Sequence, residues 1–201
     1  EVPPGRDSEW MNHLAIVLYG DPTTRIVEAA RPVGNVTRGT THPTIQDALN
    51  LAVAGDEIVL APRTYSGAEN RELRFLGKPL VLRSEAPESS AVVAATVIRY
   101  GSAAAEYCGV RLAAADPAEI RIEGLTFSNG DTQGAAIVGT TVSPTIARCV
   151  FTRIASARNG VAIKLSSSSA RIRSCTFREI RAPYANDAAL TVTGGGSVLV
   201  E

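Results

Sequence analysis

Basic side chains accumulate in one short part of the sequence. Between residues 144 and 181 there are eight arginine or lysine residues but a single acidic residue, Glu179. The basic residues are Arg148, Arg153, Arg158, Lys164, Arg171, Arg173, Arg178 and Arg181. Because guanidinium groups form forked hydrogen bonds with carboxylates, this composition predicts a surface that binds an acidic polysaccharide. The alternative is a solvated outer face, on which arginine keeps sheets from associating.

A pair of carboxylates would indicate glycoside hydrolysis. Asp131 and Asp187 lie in matching loops between apolar segments, but the equivalent loop between them carries Asn159. Two carboxylates that are two repeats apart would be separated by about 10 Å, near the upper end of the range for inverting hydrolases. We therefore treat these three residues as candidates for carbohydrate contact and assign no catalytic residue.

Other kinds of reactive site have no signature in this sequence. It contains no glycine-rich phosphate loop followed by a helix, no cluster of metal ligands and no serine-nucleophile motif. Its two histidines, His13 and His42, lie outside the basic region. We therefore predict neither a metal nor a cofactor.

The three cysteines, Cys108, Cys149 and Cys175, include no closely spaced pair of the zinc-binding type. Cys149 and Cys175 occupy equivalent positions of a sequence repeat and should stack about 4.8 Å apart. Two interpretations stay open: a ladder of buried thiols, which we favour, and a disulfide formed in an oxidising compartment.

The repeat itself predicts the architecture. The stretch PTIARCVFTRI, residues 144–154, returns as ARIRSCTFREI, residues 170–180, and Phe151 and Phe177 are 26 positions apart. A fainter copy places Phe127 24 positions before Phe151, and a second column contains Ile137, Ile163 and Leu190. A period in the twenties with two strand columns and no intervening helix predicts an all-β fold, a parallel β-helix with the phenylalanines stacked inside.

A helix is expected before the repeats. Thr44 and Asp47 form a capping-box pattern, and an apolar stripe then extends to Val53 before Gly55 ends the helix. The next segment, EIVLAP, is typical of a buried strand. We predict that the helix over residues 44–54 caps the first turn. The β-helix domain then covers residues 41–201 with an incomplete C-terminal end, and residues 1–40 form an extension of uncertain placement.

These segments resemble the pectin lyase-like superfamily of right-handed parallel β-helices. PTIQDALNLAVAGDEIVLAPRTYSG is similar to its capping helix and first turn, and SPTIARCVFTRI and SARIRSCTFREI are similar to its repeated turns. Arg63 stands where that superfamily usually has glycine. The resemblance covers roughly residues 41–201, and it implies a right-handed β-helix without implying an activity.

Two enzymatic activities of the superfamily can be compared with individual residues. GLTFSNGDTQGAAI resembles the pectin methylesterase segment whose glutamine stabilises an oxyanion, a role that Gln133 would take, but the next turn lacks the required carboxylate. A lyase or epimerase needs a cation for the uronate carboxylate and a base for the C5 proton. The arginine-rich region offers the cation.

The overall composition limits the function further. The 201-residue chain is 45% hydrophobic with zero net charge, which argues against general nucleic-acid binding. The apolar run over residues 14–20 is too short to span a membrane.

We expect a secreted, cell-surface or periplasmic β-helix module that binds carbohydrate. The alternatives are a polysaccharide lyase or epimerase, and a structural spacer or adhesin segment. Candidate contacts are Asp131, Gln133, Arg148, Arg153, Arg158, Asn159, Arg173 and Asp187. The sequence does not predict an oligomeric state.

Overall fold

The computed structural model describes residues 32–101, 107–117, 119–129, 134–155, 162–181 and 189–201. Within these ranges the chain forms two short α-helices, α1 (Ile45–Leu51) and α2 (Ser90–Ala95), and one 3-10 turn (Ala68–Asn70). The strands are β1 (Val33–Asn35), β2 (Thr40–His42), β3 (Glu57–Leu60), β4 (Thr64–Tyr65), β5 (Val81–Ser84), β6 (Val97–Arg99), β7 (Val110–Leu112), β8 (Arg121–Glu123), β9 (Thr126–Ser128), β10 (Ile137–Thr140), β11 (Thr145–Ala147), β12 (Val150–Ala155), β13 (Ile163–Ser166), β14 (Arg171–Arg173), β15 (Thr176–Arg181), β16 (Leu190–Thr193) and β17 (Leu199–Val200).

The strands form three sheets that the chain visits in rotation. Sheet 1 has the order β2-β1-β3-β5-β8-β11-β14-β17, sheet 2 the order β7-β10-β13-β16 and sheet 3 the order β4-β6-β9-β12-β15. Neighbouring strands in the last two sheets, and from β3 onward in the first, are parallel. The predicted all-β fold, a parallel β-solenoid, is confirmed, with about five turns.

The corner between sheet 1 and sheet 3 uses the same backbone conformation in three successive turns. Gly124, Arg148 and Ser174 have positive φ angles of 63°, 52° and 51°. This left-handed conformation is unfavourable for residues other than glycine. Each corner residue donates its backbone N–H to a carbonyl oxygen one turn further along, at 2.9–3.0 Å. The hydrogen bonds between turns therefore stabilise a left-handed corner conformation that Arg148 and Ser174 would rarely adopt without them.

The interior contains the stack of phenylalanines that the repeat predicts. The rings of Phe127 and Phe151 have centroids 5.4 Å apart, and those of Phe151 and Phe177 are 4.9 Å apart. The ring planes are within 10° of parallel. The second predicted column is also confirmed, because Ile137, Ile163 and Leu190 pair in register in sheet 2.

The cysteines are present as thiols. Cys108 and Cys149 are buried, Cys175 is partly buried, and all three are free. Cys149 and Cys175 follow the corner residues Arg148 and Ser174 in successive turns, so they stack as predicted. Formation of a disulfide between them in an oxidising compartment stays a prediction.

The first turn of the solenoid carries a hairpin and a helix. Strands β1 and β2 pair antiparallel, and β1 also pairs antiparallel with β3. The hairpin therefore extends sheet 1 with residues that the sequence analysis placed in the N-terminal extension. The rest of that extension, residues 1–31, lies outside the described residues. The boundary at residue 41 stays a prediction.

Helix α1 begins as predicted but ends earlier than predicted. Thr44 Oγ1 accepts a hydrogen bond from the backbone N–H of Asp47 at 3.2 Å. The helix stops at Leu51, because the Lys78 ammonium donates to three carbonyl oxygens at the end of the helix, at 2.6–3.1 Å. Gly55 has a positive φ of 86°, but it lies in the following turn. The role of α1 as a cap stays a prediction.

Helix α2 has no counterpart in the sequence analysis. It lies between β5 and β6, begins after the N-cap residue Ser89 and buries Val93. The buried Thr126 hydroxyl donates to the carbonyl oxygen of Val93 at 2.7 Å. The helix therefore packs against the outer side of β9 in sheet 3.

A buried carboxylate joins the hairpin to the loop after α1. Asp56 is 2% exposed, and its carboxylate accepts hydrogen bonds from Asn35 at 2.8 Å, from the backbone N–H of Val53 at 2.9 Å and from Arg38 at 3.0 Å. Burial alone would raise the pKa of this carboxyl. The hydrogen bonds and the charge of Arg38 outweigh burial, and they hold the pKa below its ordinary value of 3.8.

Truncation of the central ring should be the most destabilising change in the phenylalanine column. We expect Phe151→Ala to lower the free energy of unfolding by about 3–5 kcal/mol, since it leaves a cavity between two rings. Phe177→Ala should cost clearly less, because Phe177 is only partly buried. Urea unfolding followed by circular dichroism measures both. An equal loss for the two variants would contradict the stacking.

The Asp56 carboxylate should make stability depend on acid. Because its pKa is lower in the folded than in the unfolded chain, its stabilisation is complete well above pH 3.8 and is lost as the pH falls through the lowered value. We expect Asp56→Asn to reduce the free energy of unfolding by about 1–3 kcal/mol at pH 7.

The deficit of Asp56→Asn relative to the natural chain should shrink between pH 5 and pH 2. Urea unfolding across this range measures it, with Glu69→Gln, an exposed position nearby, as the control for loss of one charge. A deficit that is constant with pH would show that the charge of Asp56 is not what stabilises the hairpin.

Candidate functional site

The outer face of sheet 1 carries two arginines on one strand. In β14 the side chains of Arg171 and Arg173 are exposed, whereas Ile172 between them is buried. This alternation follows from the strand itself, because successive side chains point to opposite sides of a sheet. The two guanidinium groups therefore project from the same face, with their Cα atoms about 6.6 Å apart.

Neither of these guanidinium groups is neutralised within the described part of the chain. The ion pairs found there involve other arginines, and no hydrogen bond engages the side chain of Arg171 or Arg173. Their neighbours on β11, Thr145 and Ala147, are uncharged. On the other side, Leu199 of β17 lies beside Arg171, and Glu201 lies beside Arg173 without forming an ion pair with it.

A groove lined with hydroxyl groups runs beside Arg171. It has a volume of about 540 Å³. Three successive turns each contribute a serine, namely Ser143, Ser169 and Ser197, and Thr145 adds a fourth hydroxyl. The Oγ atoms of Ser197 and Ser169 are 3.5 Å apart. Because the turns are about 4.8 Å apart, the hydroxyls form a row parallel to the solenoid axis.

A mixed cluster of charges lies on the same sheet, towards its corner. The two carboxylate oxygens of Glu123 bind two arginines: one accepts from Arg121 at 3.0 Å and the other accepts from Arg148. The Glu123 side chain is 10% exposed, while the two arginines are about half exposed. Both oxygens are thus engaged, and Arg121 and Arg148 are partly neutralised.

The predicted basic region does not form one surface. Of the candidates, Arg148 and Arg173 lie at sheet 1, but Arg153 lies in β12 of sheet 3, together with Arg178 and Arg181 of β15 in that sheet, and Lys164 lies in sheet 2. The reason is the turn geometry, since basic residues that are 5 to 11 positions apart fall on different sides of a three-sided solenoid. Arg153 takes the position equivalent to Glu179, as expected from the stacking.

Five of the candidate contacts cannot be placed. Asp131, Gln133, Arg158, Asn159 and Asp187 lie outside the described residues. Their contact with carbohydrate stays a prediction.

The sequence analysis missed the hydroxyl row. Ser143 and Ser169 are 26 positions apart, the same interval as Phe151 and Phe177, and that spacing was the available signal. Arg171 was recognised as part of the basic region but was not chosen as a candidate contact. Its alternation with Ile172 in ARIRS would have indicated that it shares a face with Arg173.

Two other clefts lie on the surface of the described residues. One, of about 360 Å³, lies between α2 and the corner before β12, and it is lined by Arg148 and Ser174 among others. The other, of about 710 Å³, lies beside β2 and α1, where Thr40 Oγ1 and His42 Nε2 are 3.0 Å apart. Arg148 in the first cleft is already paired with Glu123. We therefore place the candidate site at the groove beside Arg171, together with the outer face that carries Arg173.

The described residues contain neither a cluster of metal ligands nor a helix that could span a membrane. Among these residues, no group of three or more histidine, cysteine, aspartate or glutamate side chains could hold a metal ion. Neither helix there is long and apolar enough to cross a bilayer.

Comparison with known proteins adds no relative. No family model, no curated protein and no solved structure matches the chain.

Proposed function

We propose that this protein is a carbohydrate-binding β-helix module of the pectin lyase-like type, located outside the cell, on its surface or in the periplasm. The ligand is an acidic polysaccharide that lies along the solenoid axis on sheet 1. The single observation that carries this proposal is the pair of exposed guanidinium groups of Arg171 and Arg173, which have no ion pair or hydrogen bond within the described part of the chain, beside a row of hydroxyls.

The chemistry of the surface suits a uronate polymer better than a neutral glycan. A guanidinium group offers two parallel N–H donors to one carboxylate, an arrangement that is both strong and directional. Serine and threonine hydroxyls donate and accept, so they suit the hydroxyl groups of sugar rings. A ligand with both functions would use Arg171 and Arg173 for its carboxylates and the serine row for its hydroxyls.

The shape of the surface supports an extended ligand. The groove is shallow and open, and it is built from equivalent residues in three turns. A polymer that repeats along its own axis can meet a similar set of side chains at each turn. A compact ligand would instead be expected in an enclosed pocket, which buries most of its surface.

The second candidate function is a lyase or epimerase acting on the same ligand. Arg171 and Arg173 would then neutralise the uronate carboxylate, as this chemistry requires. Of the acids on this face of sheet 1, Glu57 and Glu123 are paired with arginines. Glu201 lies beside Arg173 and has no ion pair among the described residues, so it is the acid there that could take the C5 proton. Assay of an unsaturated product distinguishes the two functions.

The two arginines should account for retention on an acidic polysaccharide. On immobilised polygalacturonate, we expect the natural chain to be retained and to elute with salt, since the contacts are ionic. Arg171→Gln and Arg173→Gln should each weaken binding about tenfold or more, which corresponds to loss of a charged hydrogen bond.

The matched controls for this experiment are Arg153→Gln and Arg178→Gln, which remove the same charge from sheet 3. They should bind like the natural chain. Equal weakening by all four substitutions would mean that only net charge matters, and absence of retention would remove the proposal. An increase in ultraviolet absorbance during incubation with polygalacturonate or alginate would show an unsaturated product and establish the lyase instead.

Replacing Glu123 should strengthen binding of the polysaccharide, in contrast to replacing Arg171 or Arg173. Glu123→Gln releases Arg121 and Arg148 from their ion pairs. We expect affinity for polygalacturonate to rise about two- to fivefold, in proportion to the modest energy of partly exposed ion pairs. Titration calorimetry measures the change, and Glu179→Gln on sheet 3 is the control with the same change of charge. Weaker binding by Glu123→Gln would show that the ligand does not approach this face.

A further inference from the structure

Cys149 and Cys175 lie one above the other in the solenoid interior. The residues that follow them, Val150 and Thr176, are paired in register, and the backbone N–H of Thr176 donates to the carbonyl oxygen of Cys149 at 2.9 Å. The Cα atoms of the two cysteines are therefore one strand spacing apart, about 4.8 Å. This lies within the range of about 4.4–6.8 Å over which a disulfide can form.

The two thiols also have the same orientation. Each Sγ atom lies 3.3–3.4 Å from the carbonyl oxygen two residues before it and 3.7 Å from a carbonyl oxygen of the preceding turn. The side chains thus take equivalent conformations. Closing the bond needs the Cβ atoms to approach to about 3.8 Å, which is a small movement from one strand spacing.

The two cysteines differ in their access to solvent. Cys149 is fully buried, at 0% exposure, whereas Cys175 is only partly buried. The adjacent Cys149 thiol lowers the pKa of the Cys175 thiol, while burial raises the pKa of the Cys149 thiol well above its ordinary value. Cys175 is consequently the thiol that an oxidant in solution reaches, and also the one with more thiolate.

Cys108 provides an internal comparison. It is 2% exposed and precedes β7 in sheet 2, away from the column that contains Cys149 and Cys175. Burial, reinforced by the nearby Glu72 carboxylate, raises its pKa to about 12. A thiol of this kind is inert towards oxidants near neutral pH.

We propose that Cys149 and Cys175 form an oxidation site, in which a peroxide converts the stacked thiols into a disulfide that joins two successive turns. The Cys175 thiolate attacks one oxygen of hydrogen peroxide, which gives a sulfenic acid and hydroxide. The Cys149 sulfur then attacks the sulfenic sulfur, its proton neutralises hydroxide, and water leaves. Overall, two thiols and one peroxide give one disulfide and two water molecules.

The expected consequence is a stiffer solenoid. The disulfide would close a loop of 26 residues and would hold the turn containing Cys175 against its neighbour. From the entropy of closing such a loop, the unfolding temperature should rise by about 5–10 °C in the oxidised form. The proposed oxidation site does not depend on the proposed carbohydrate binding, so an experiment can contradict one proposal without contradicting the other.

The test uses the full chain, purified reduced and then treated with hydrogen peroxide. Titration of thiols after denaturation should fall from three to one, and mass mapping should find the Cys149 and Cys175 peptides joined, with a loss of two hydrogens. Cys108→Ala should fall from two thiols to none. In Cys149→Ala, no disulfide should form, and a sulfenic acid on Cys175 should become trappable by dimedone.

Several outcomes would overturn the proposal. One is the survival of all three thiols. Others are a disulfide between two chains, and a sulfinic acid on Cys175 with Cys149 still reduced. Loss of the Cys108 thiol in place of the pair would also contradict it. The measurement on the natural chain suffices even if an alanine variant fails to fold.

Discussion

Parallel pairing between successive turns is the interaction on which the rest of this structure depends. From β5 to β17, every strand of sheet 1 pairs in parallel with the strand one turn before it and, apart from the last, with the strand one turn after. Because the register is conserved from turn to turn, like residues meet like residues, and the phenylalanines stack with ring planes within 10° of parallel. The corner residues show how much this pairing determines. Arg148 and Ser174 adopt a conformation that ordinary residues avoid, and hydrogen bonds to the next turn hold them there.

The same register produces the surface features. A residue type that recurs at one position of the repeat becomes a row along the solenoid axis, and Ser143, Ser169 and Ser197 line one groove because each lies two residues before a strand of sheet 1. The register also separates residues that are close in the sequence but lie on different sides of a turn. Arg171 and Arg173 share a face because they are two positions apart on one strand, whereas Arg178 is already on another sheet. The thiol ladder arises in the same way, since two cysteines at one repeat position have to stack.

The sequence therefore predicts the structural features that follow from the repeat. It does not predict features that depend on contacts between segments far apart in the chain. The interval between Phe151 and Phe177 was enough to predict the parallel solenoid and its aromatic column. The end of α1 could not be predicted, because the lysine that terminates the helix comes from a loop 27 residues further along the chain. Helix α2 was missed because its six residues are too short to give a periodic pattern. For the site, Arg148 and Arg173 lie at sheet 1, and their contact with carbohydrate stays a prediction. The basic region was nevertheless predicted to form one surface, because its composition does not show where the chain passes from one sheet to the next.

Nuclear Overhauser contacts between the phenylalanine rings test the central claim most directly. The chain has four phenylalanines, so selective labelling of this residue type gives few signals. Stacked turns predict ring contacts between Phe127 and Phe151 and between Phe151 and Phe177, at centroid separations of 5.4 and 4.9 Å. No contact should be seen between Phe127 and Phe177, which are two turns apart. Absence of the two neighbouring contacts, or a direct contact between Phe127 and Phe177, would contradict the register and every surface assignment that follows from it.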